Sequence, residues 1–386
     1  MPAGLYALAL AAFGIGLTEF GIVGLLPNIA TGFSINEQVA GYLVSGYAIS
    51  VAIGALLLTS LLVKMEKRKA LSLLTLLFII GNGISAMAST YEMLLIGRII
   101  AGLCHGAFFS LGAVVASNIV KQNQKAGAIA LMFAGLTVSN IIGVPVGTFV
   151  GIELGWRATF WCLCVIGIIT IFGIRILLPE INSSNNIELK NELAVFSRGQ
   201  VWISILLSIL SFGSVVGAFT YIAFTLTKVT GFAETTVPWL LVLFGIGTFI
   251  GNIYGGKYAD KSINITLGSI LFILAITLSL FAVYANIPIL AAILLLLMGT
   301  VGLATGPGLQ LRTMKYAGDA PTLASGANIA AFNVGNAVGA WIGGIAIEAG
   351  YGYTSPLWVG ACLSVCALLL IIFTSFNKKT SVIFNH

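Results

Sequence analysis

Apolar residues run through this chain in stretches of about 20, interrupted by short polar loops or by glycine and proline. Each stretch is long enough to cross, as a helix, a hydrocarbon core about 30 Å thick. The periodicity and the breakers predict twelve helices, over residues 4–27, 38–63, 70–89, 91–117, 127–151, 158–178, 201–225, 236–257, 264–285, 288–310, 325–347 and 355–376. Six precede the one long polar segment, PEINSSNNIELKNELAVFSRGQ, and six follow it. The predicted organisation is an N-terminal six-helix bundle (1–178), a cytoplasmic linker (179–200) and a C-terminal six-helix bundle (201–386).

Composition agrees with the pattern. Of 386 residues 59% are hydrophobic and 8% charged, against roughly 45–50% and about 25% in soluble domains, so the chain reads as an all-α polytopic membrane protein. The net charge of +6 does not imply nucleic acid, because the basic residues lie in short loops between apolar stretches. Fifteen of the 18 lysines and arginines fall on alternate loops, Arg157 and Lys228 on the others, and Arg98 inside a helix. The positive-inside rule then puts both termini in the cytoplasm and the chain, multi-pass, in the cytoplasmic (inner) membrane. The N-terminal stretch lacks a basic leader and is interrupted by Glu19, so it is read as a retained helix. The five cysteines lie within apolar segments, which favours packing over disulfide or metal chemistry. Packed helices satisfy their own backbones, so the protein is expected to be a monomer surrounded by lipid.

Against this apolar background the ionisable residues stand out. Glu19 is the one carboxylate, and Arg98 the one arginine, deep inside a predicted span. An arginine there costs roughly 2.5–3.5 kcal/mol and calls for a partner or a water-filled cavity. Counted from the outer ends of helices one and four, both residues lie roughly 10–12 Å below the surface. They are therefore expected to meet, directly or through water. Desolvation favours a neutral acid and a guanidinium favours its anion, so such a carboxyl can gain and lose a proton. His105, seven residues beyond Arg98 on the same helix face, extends a relay or binds substrate. The alternative is a buried pair that only locks two helices together.

Helix five carries Gly135, Gly143, Gly147 and Gly151 around Pro145, and helix eleven carries Gly335, Gly339 and Gly343. Glycines four apart let helices approach closely, and their recurrence one six-helix unit later suggests an internal repeat. Thr137, Asn140, Asn252, Gln310, Asn328, Asn333 and Asn336 are polar positions within spans; they line a substrate cavity or form interhelical hydrogen bonds. Gly251 to Lys257 imitates the start of a phosphate-binding loop, but Tyr258 stands where Ser or Thr would bind magnesium and no strand precedes it. No cofactor is expected.

Several of these motifs together resemble the major facilitator superfamily, and within it the drug:proton antiporter branch, closest to the arabinose-efflux-permease-like members. Arg98-Ile-Ile-Ala-Gly102 with His105-Gly-Ala is similar to the family's fourth-helix motif, whose arginine is associated with proton coupling. Gly143-Val-Pro145-Val-Gly147 resembles the fifth-helix antiporter motif, with a valine inserted between the usual glycine and proline. Gly155-Trp-Arg157 and the stretch from Gly16 to Ala30 are also like this branch. In the loop after helix two, Val63 stands where the family has an aspartate; the second-half loop, Gly255 to Lys261, matches better. The resemblance implies two pseudo-symmetric six-helix bundles in a major facilitator fold, with loop gating at Asp260 and Lys261.

Together these readings predict a secondary transporter, not an enzyme, that exports a small organic solute (a drug, sugar or related metabolite) in exchange for protons by alternating access. A proton-coupled importer of a sugar or similar nutrient is the alternative. A membrane enzyme would need paired histidines or a nucleophile with its base, and the chain has two histidines, the second terminal. A non-transporting membrane protein would be favoured by a large extramembrane sensing domain, which the sequence lacks.

Overall fold

The computed structural model describes residues 2–62, 65–121, 124–180, 194–259, 261–317 and 321–383, and the side chains of all of these except 125, 126, 130, 194, 195, 321–323 and 375–383. Among the described residues there is no strand. Twelve helices among them are long and apolar enough to cross a membrane: α1 (Gly4–Phe33), α2 (Glu37–Leu62), α3 (Lys67–Ala86), α4 (Tyr91–Asn118), α5 (Gly127–Glu153), α6 (Trp156–Leu177), α7 (Gly199–Thr220), α8 (Glu234–Ala259), α9 (Ile263–Tyr284), α10 (Pro288–Ala317), α11 (Ala324–Tyr351) and α12 (Ser355–Thr374).

Within α1, α5 and α10 the helix departs from the predicted pattern where the backbone changes pitch. In α1 a 3₁₀ turn at Val23–Leu25 is followed by a fresh helical stretch, Leu26–Phe33, with Pro27 in its first turn. A proline there lacks only an N–H that would have no helical partner, so it restarts the helix and carries it past residue 27. In α5 the π-helical turn Ser139–Gly143 leads directly into Val144–Glu153, so Pro145 sits at the start of a new segment. The wider turn absorbs the backbone bond that proline cannot make. In α10 the helix pauses at Leu303 and Ala304 and resumes as Thr305–Ala317. That continuation lifts Arg312 out of the loop in which the sequence pattern puts it and buries it completely.

The chain forms two compact units, one of Met1–Ile187 with Phe232–Gly245, the other of Glu188–Gly231 with Ile246–His386. In the first, α1 packs on α5 and α6, α2 on α4, and α3 on α4 and α6. The tightest crossings lie at glycines: a Cβ on Gly135 would stand 1.9 Å from the Ala9 carbonyl oxygen, and one on Gly54 2.1 Å from that of Leu103. The second unit repeats the scheme, with α7 on α11 and α12 and α9 on α10 and α12. There a Cβ on Gly339 would come within 2.1 Å of Gly213 O, and one on Gly251 within 2.0 Å of Thr300 O. Small residues at such points let backbones touch, and packing of this kind holds helices together where lipid supplies no hydrophobic drive. Gly251 and Gly255 thus serve the contact of α8 with α10, inside a helix and not in a phosphate-binding loop.

Large apolar side chains such as Ile53, Phe172 and Phe373 remain exposed on the helix surfaces, as expected where acyl chains provide the surroundings. The five cysteines are free thiols; Cys104 and Cys164 are buried and the other three exposed.

Candidate functional site

Four helices of the first unit bring polar side chains to one buried cluster. Arg98, fully buried, projects from α4 toward α1 and α2. Its Nη1 donates to the Thr18 carbonyl oxygen and, at 3.3 Å, to Thr18 Oγ1, while Nε reaches Leu43 O at 3.5 Å. The guanidinium lies over the ring of Tyr47, 4.2 Å from its centroid, where the ring's electron-rich face attracts a cation. Thr18 Oγ1 donates in turn to Asn82 Oδ1 on α3 at 2.7 Å, and the amide of Asn82 donates to Phe78 O at 2.9 Å. Nη2 of Arg98 is buried with no hydrogen-bond partner among the described residues.

Glu19 follows Thr18 on α1 but turns elsewhere. Its Oε2 stands 4.0 Å from Nδ1 of His105, the side chain is 12% exposed, and its carboxylate makes no hydrogen bond among the described residues. Glu19 and Arg98 are therefore close enough to act on each other electrostatically, yet they form no direct ion pair. Of the two expected forms of the pairing, direct or through water, the direct one is absent: backbone carbonyls from α1 and α2 hold the guanidinium, and the imidazole faces the acid. The physical reason is geometric, since adjacent residues on a helix point about 100° apart and Thr18, not Glu19, is the one aimed at Arg98. His105 also meets Tyr47, whose hydroxyl is 3.2 Å from the same Nδ1, and packs against Phe109, ring centroids 5.2 Å apart.

Close approach of the helices makes this possible. Gly102, between Arg98 and His105, lies against Ser50 and the Tyr47 carbonyl, and Gly106 against Ala55. With α2 this near, one tyrosine spans the two turns separating arginine from histidine.

The remaining sequence candidates divide into separate groups. In α5, Asn140 is buried with Oδ1 unpartnered among the described residues, as is Ser139 Oγ, at the π-helical turn that ends on Gly143 and leads to Pro145 and Gly147; Thr137 is half-buried one turn earlier. A Cβ on Gly245 would touch the backbone of Asn140, so the first part of α8 lies on that turn. In the second unit Gln310 belongs to a hydrogen-bonded network. It donates to Ser325 Oγ and accepts from Asn328 Nδ2 at 2.7 Å, while Asn328 Oδ1 accepts from Ser208 at 2.5 Å and Thr313 at 3.0 Å. Gln310 thus joins α10 to α11. Asn333 and Asn336 differ, being buried with Oδ1 of each unpartnered among the described residues. Lys261 is exposed, its Nζ 5.7 Å from the Tyr258 ring centroid; Asp260 lies outside the described residues. Arg312 donates to Asn264 Oδ1 at 2.8 Å and Gln200 Oε1 at 3.5 Å and covers the Tyr316 ring.

Sequence reasoning misses Thr18, Tyr47 and Asn82. Their only signal is the polarity of ordinary span residues, which does not separate them from Thr75 or Ser72, whose hydroxyls merely bond their own helix. Among the described residues no group of His, Cys, Asp and Glu is arranged to hold a metal.

The sequence profile described as Major Facilitator Superfamily matches residues 8–328 and 223–382. The chain is 42% identical over 378 residues to the inner membrane transport protein YdhP of Escherichia coli (strain K12), covering 98% of this chain and 97% of the relative. It is 30% identical over 374 residues to a chloramphenicol resistance protein of Streptomyces lividans, covering 96% and 95%. In fold it is similar to the crystal structure of a D-xylose-proton symporter, with a TM-score of 0.74 at 16% identity over 96% of both chains.

Proposed function

Since the chain belongs to the major facilitator superfamily and is a multi-pass membrane transporter, we propose that it exports a small organic solute in exchange for protons, with Glu19 as the proton carrier. The observation that carries this reading is the state of Glu19: a carboxylate within a membrane span, partly open, without a hydrogen-bond donor among the described residues, 4.0 Å from an imidazole. A residue kept only to lock helices would be fully bonded, as Arg98 nearly is. An ionisable side chain at membrane depth with one side open is suited to meet a proton from either face. Arg98 supplies a fixed positive charge beside it, and His105 a second proton-accepting atom. Export is supported by the fifth-helix glycines around Pro145 and by likeness to a relative named for chloramphenicol resistance. Asn140 in the first unit, and separately Asn333 and Asn336 in the second, are each proposed to offer to solute an oxygen that is unpartnered among the described residues, and Asp260 with Lys261 to act at the cytoplasmic loop. In this reading the protein works as a monomer in the inner membrane with both termini cytoplasmic.

The test is reconstitution in liposomes carrying an imposed pH gradient, with a screen of solute classes that includes chloramphenicol and simple sugars. Solute-dependent dissipation of the gradient in the exchange direction, lost in Glu19→Gln and Arg98→Ala, is the expected result. Full coupling in Glu19→Gln rules out the carrier role, and solute entering with the proton makes the protein an importer.

A further inference from the structure

Nδ1 of His105 is approached from two sides. Tyr47 Oη on α2 stands 3.2 Å away and Glu19 Oε2 on α1 4.0 Å away. One imidazole nitrogen holds either a proton or a lone pair. With a lone pair it accepts from the Tyr47 hydroxyl, and a carboxylate of Glu19 has nothing to bond there. With a proton it can donate to either oxygen. The tyrosine and the acid therefore compete for a single atom, and which one holds it depends on where the proton is.

Tyr47 is also anchored at its other end. Arg98 lies 4.2 Å from its ring centroid, and the residue is 1% exposed, so its hydroxyl is held in position and has only its O–H torsion left to change. The titratable and charged groups around the imidazole, among the described residues, are Glu19 from α1, Tyr47 from α2, and on α4 itself Arg98 and Cys104, whose thiol donates to Ala101 O at 3.0 Å. The side chains from α3 and α5 that reach this cluster, Asn82 and Phe133, are neutral.

From this geometry we infer that Tyr47 is the positioning residue of the proton relay: its hydroxyl holds the neutral imidazole through Nδ1 while the proton rests on Glu19, and yields that atom when the proton crosses. In the transfer the Glu19 O–H bond breaks, its electron pair stays on the carboxylate, and an Nδ1–H bond forms. Tyr47 keeps its own proton and turns an oxygen lone pair toward the new N–H. The charge of the trio is unchanged, a neutral acid and imidazole becoming a carboxylate and imidazolium beside a fixed guanidinium. The inference rests on the reading of Glu19 as proton carrier.

The chain's small number of histidines makes the test direct. With His386→Gln in the full-length protein, His105 is the only imidazole, and ¹⁵N-histidine labelling in lipid bilayers reports whether Nδ1 is of the lone-pair or the proton-bearing type across a pH series. The wild type is expected to show the lone-pair type while Glu19 is neutral. Tyr47→Phe keeps the ring under Arg98 and deletes the donor, so the ratio of proton-bearing to lone-pair Nδ1 should rise about fivefold, the equivalent of one ordinary hydrogen bond. Site-specific 3-fluorotyrosine at position 47, a stronger donor of nearly the same shape, should move the ratio the other way and covers the case in which Tyr47→Phe does not fold. An Nδ1 signal indifferent to both replacements overturns the inference. Glu19→Gln separates it from the reading beneath it. If that variant leaves the pH response of His105 unchanged, Glu19 is not the carrier. If it removes the response while the Tyr47 variants do nothing, only the role of Tyr47 falls.

Discussion

Arg98 shows how a single residue acquires its environment. Its charge is spread over two backbone carbonyls, a hydroxyl and an aromatic face, so removing it affects several partners at once. Arg98→Ala leaves the carbonyls of Thr18 and Leu43 without this donor, at about 1–3 kcal/mol for each buried group left unsatisfied. The melting temperature of the detergent-solubilised protein should fall clearly. Thr18→Val keeps the carbonyl and loses only the hydroxyl, and should cost about 1 kcal/mol. The asparagines of α11 give a second contrast. Asn328→Leu strips partners from Gln310, Ser208 and Thr313 and should lower the melting temperature, whereas Asn336→Leu removes an oxygen that has no partner among the described residues and should leave stability nearly unchanged while reducing solute flux. Equal destabilisation by the two would mean that Asn336 is a packing residue. At this scale the ionisable residues were legible, because a charge in an apolar run has few explanations. Tyr47 and Asn82 were not, since their importance comes from which neighbour they face.

At the scale of the helix, the glycine spacing in α5 and α11 predicted close contacts, and the structure supplies the surfaces they touch. Gly135→Ala would drive a methyl to within 1.9 Å of Ala9 O, and Gly339→Ala to 2.1 Å of Gly213 O. Each should separate its helix pair and cost about 1–3 kcal/mol, seen as loss of folded yield or melting temperature. Gly326 is the control, lying in a helix with nothing near its added Cβ; Gly326→Ala should stabilise by roughly 0.5–1 kcal/mol through helix propensity. Tolerance of Gly135→Ala would show the α1 and α5 contact to be loose. Helix ends were less legible than the glycine spacing. The pause at Leu303 and Ala304 and the restart at Pro27 depend on whether the next segment finds a partner to pack against, and hydropathy does not report that.

For the molecule as a whole, the distribution of lysine and arginine predicts topology. Alkaline phosphatase fused after Ile35 or after Gly231 should be active outside the cytoplasm, and the same reporter at the C-terminal end inactive; the opposite pattern would invert the assignment. What the sequence determined alone was the number of spans, the glycine stripes of α5 and α11, the likeness to a transporter family and the positions of Arg98 and His105 on one face of α4, because each follows from local chemistry against a lipid background: a charge in an apolar run, a small residue every fourth position, a polar loop. What only the tertiary structure decided was who meets whom. The rotation of α1 about its axis gave Thr18 to Arg98 and Glu19 to His105, and the approach of α2 across Gly102 inserted Tyr47 between them. Such contacts are set by the packing of several helices at once, and a difference of about 100° between adjacent side chains is enough to exchange one partner for another.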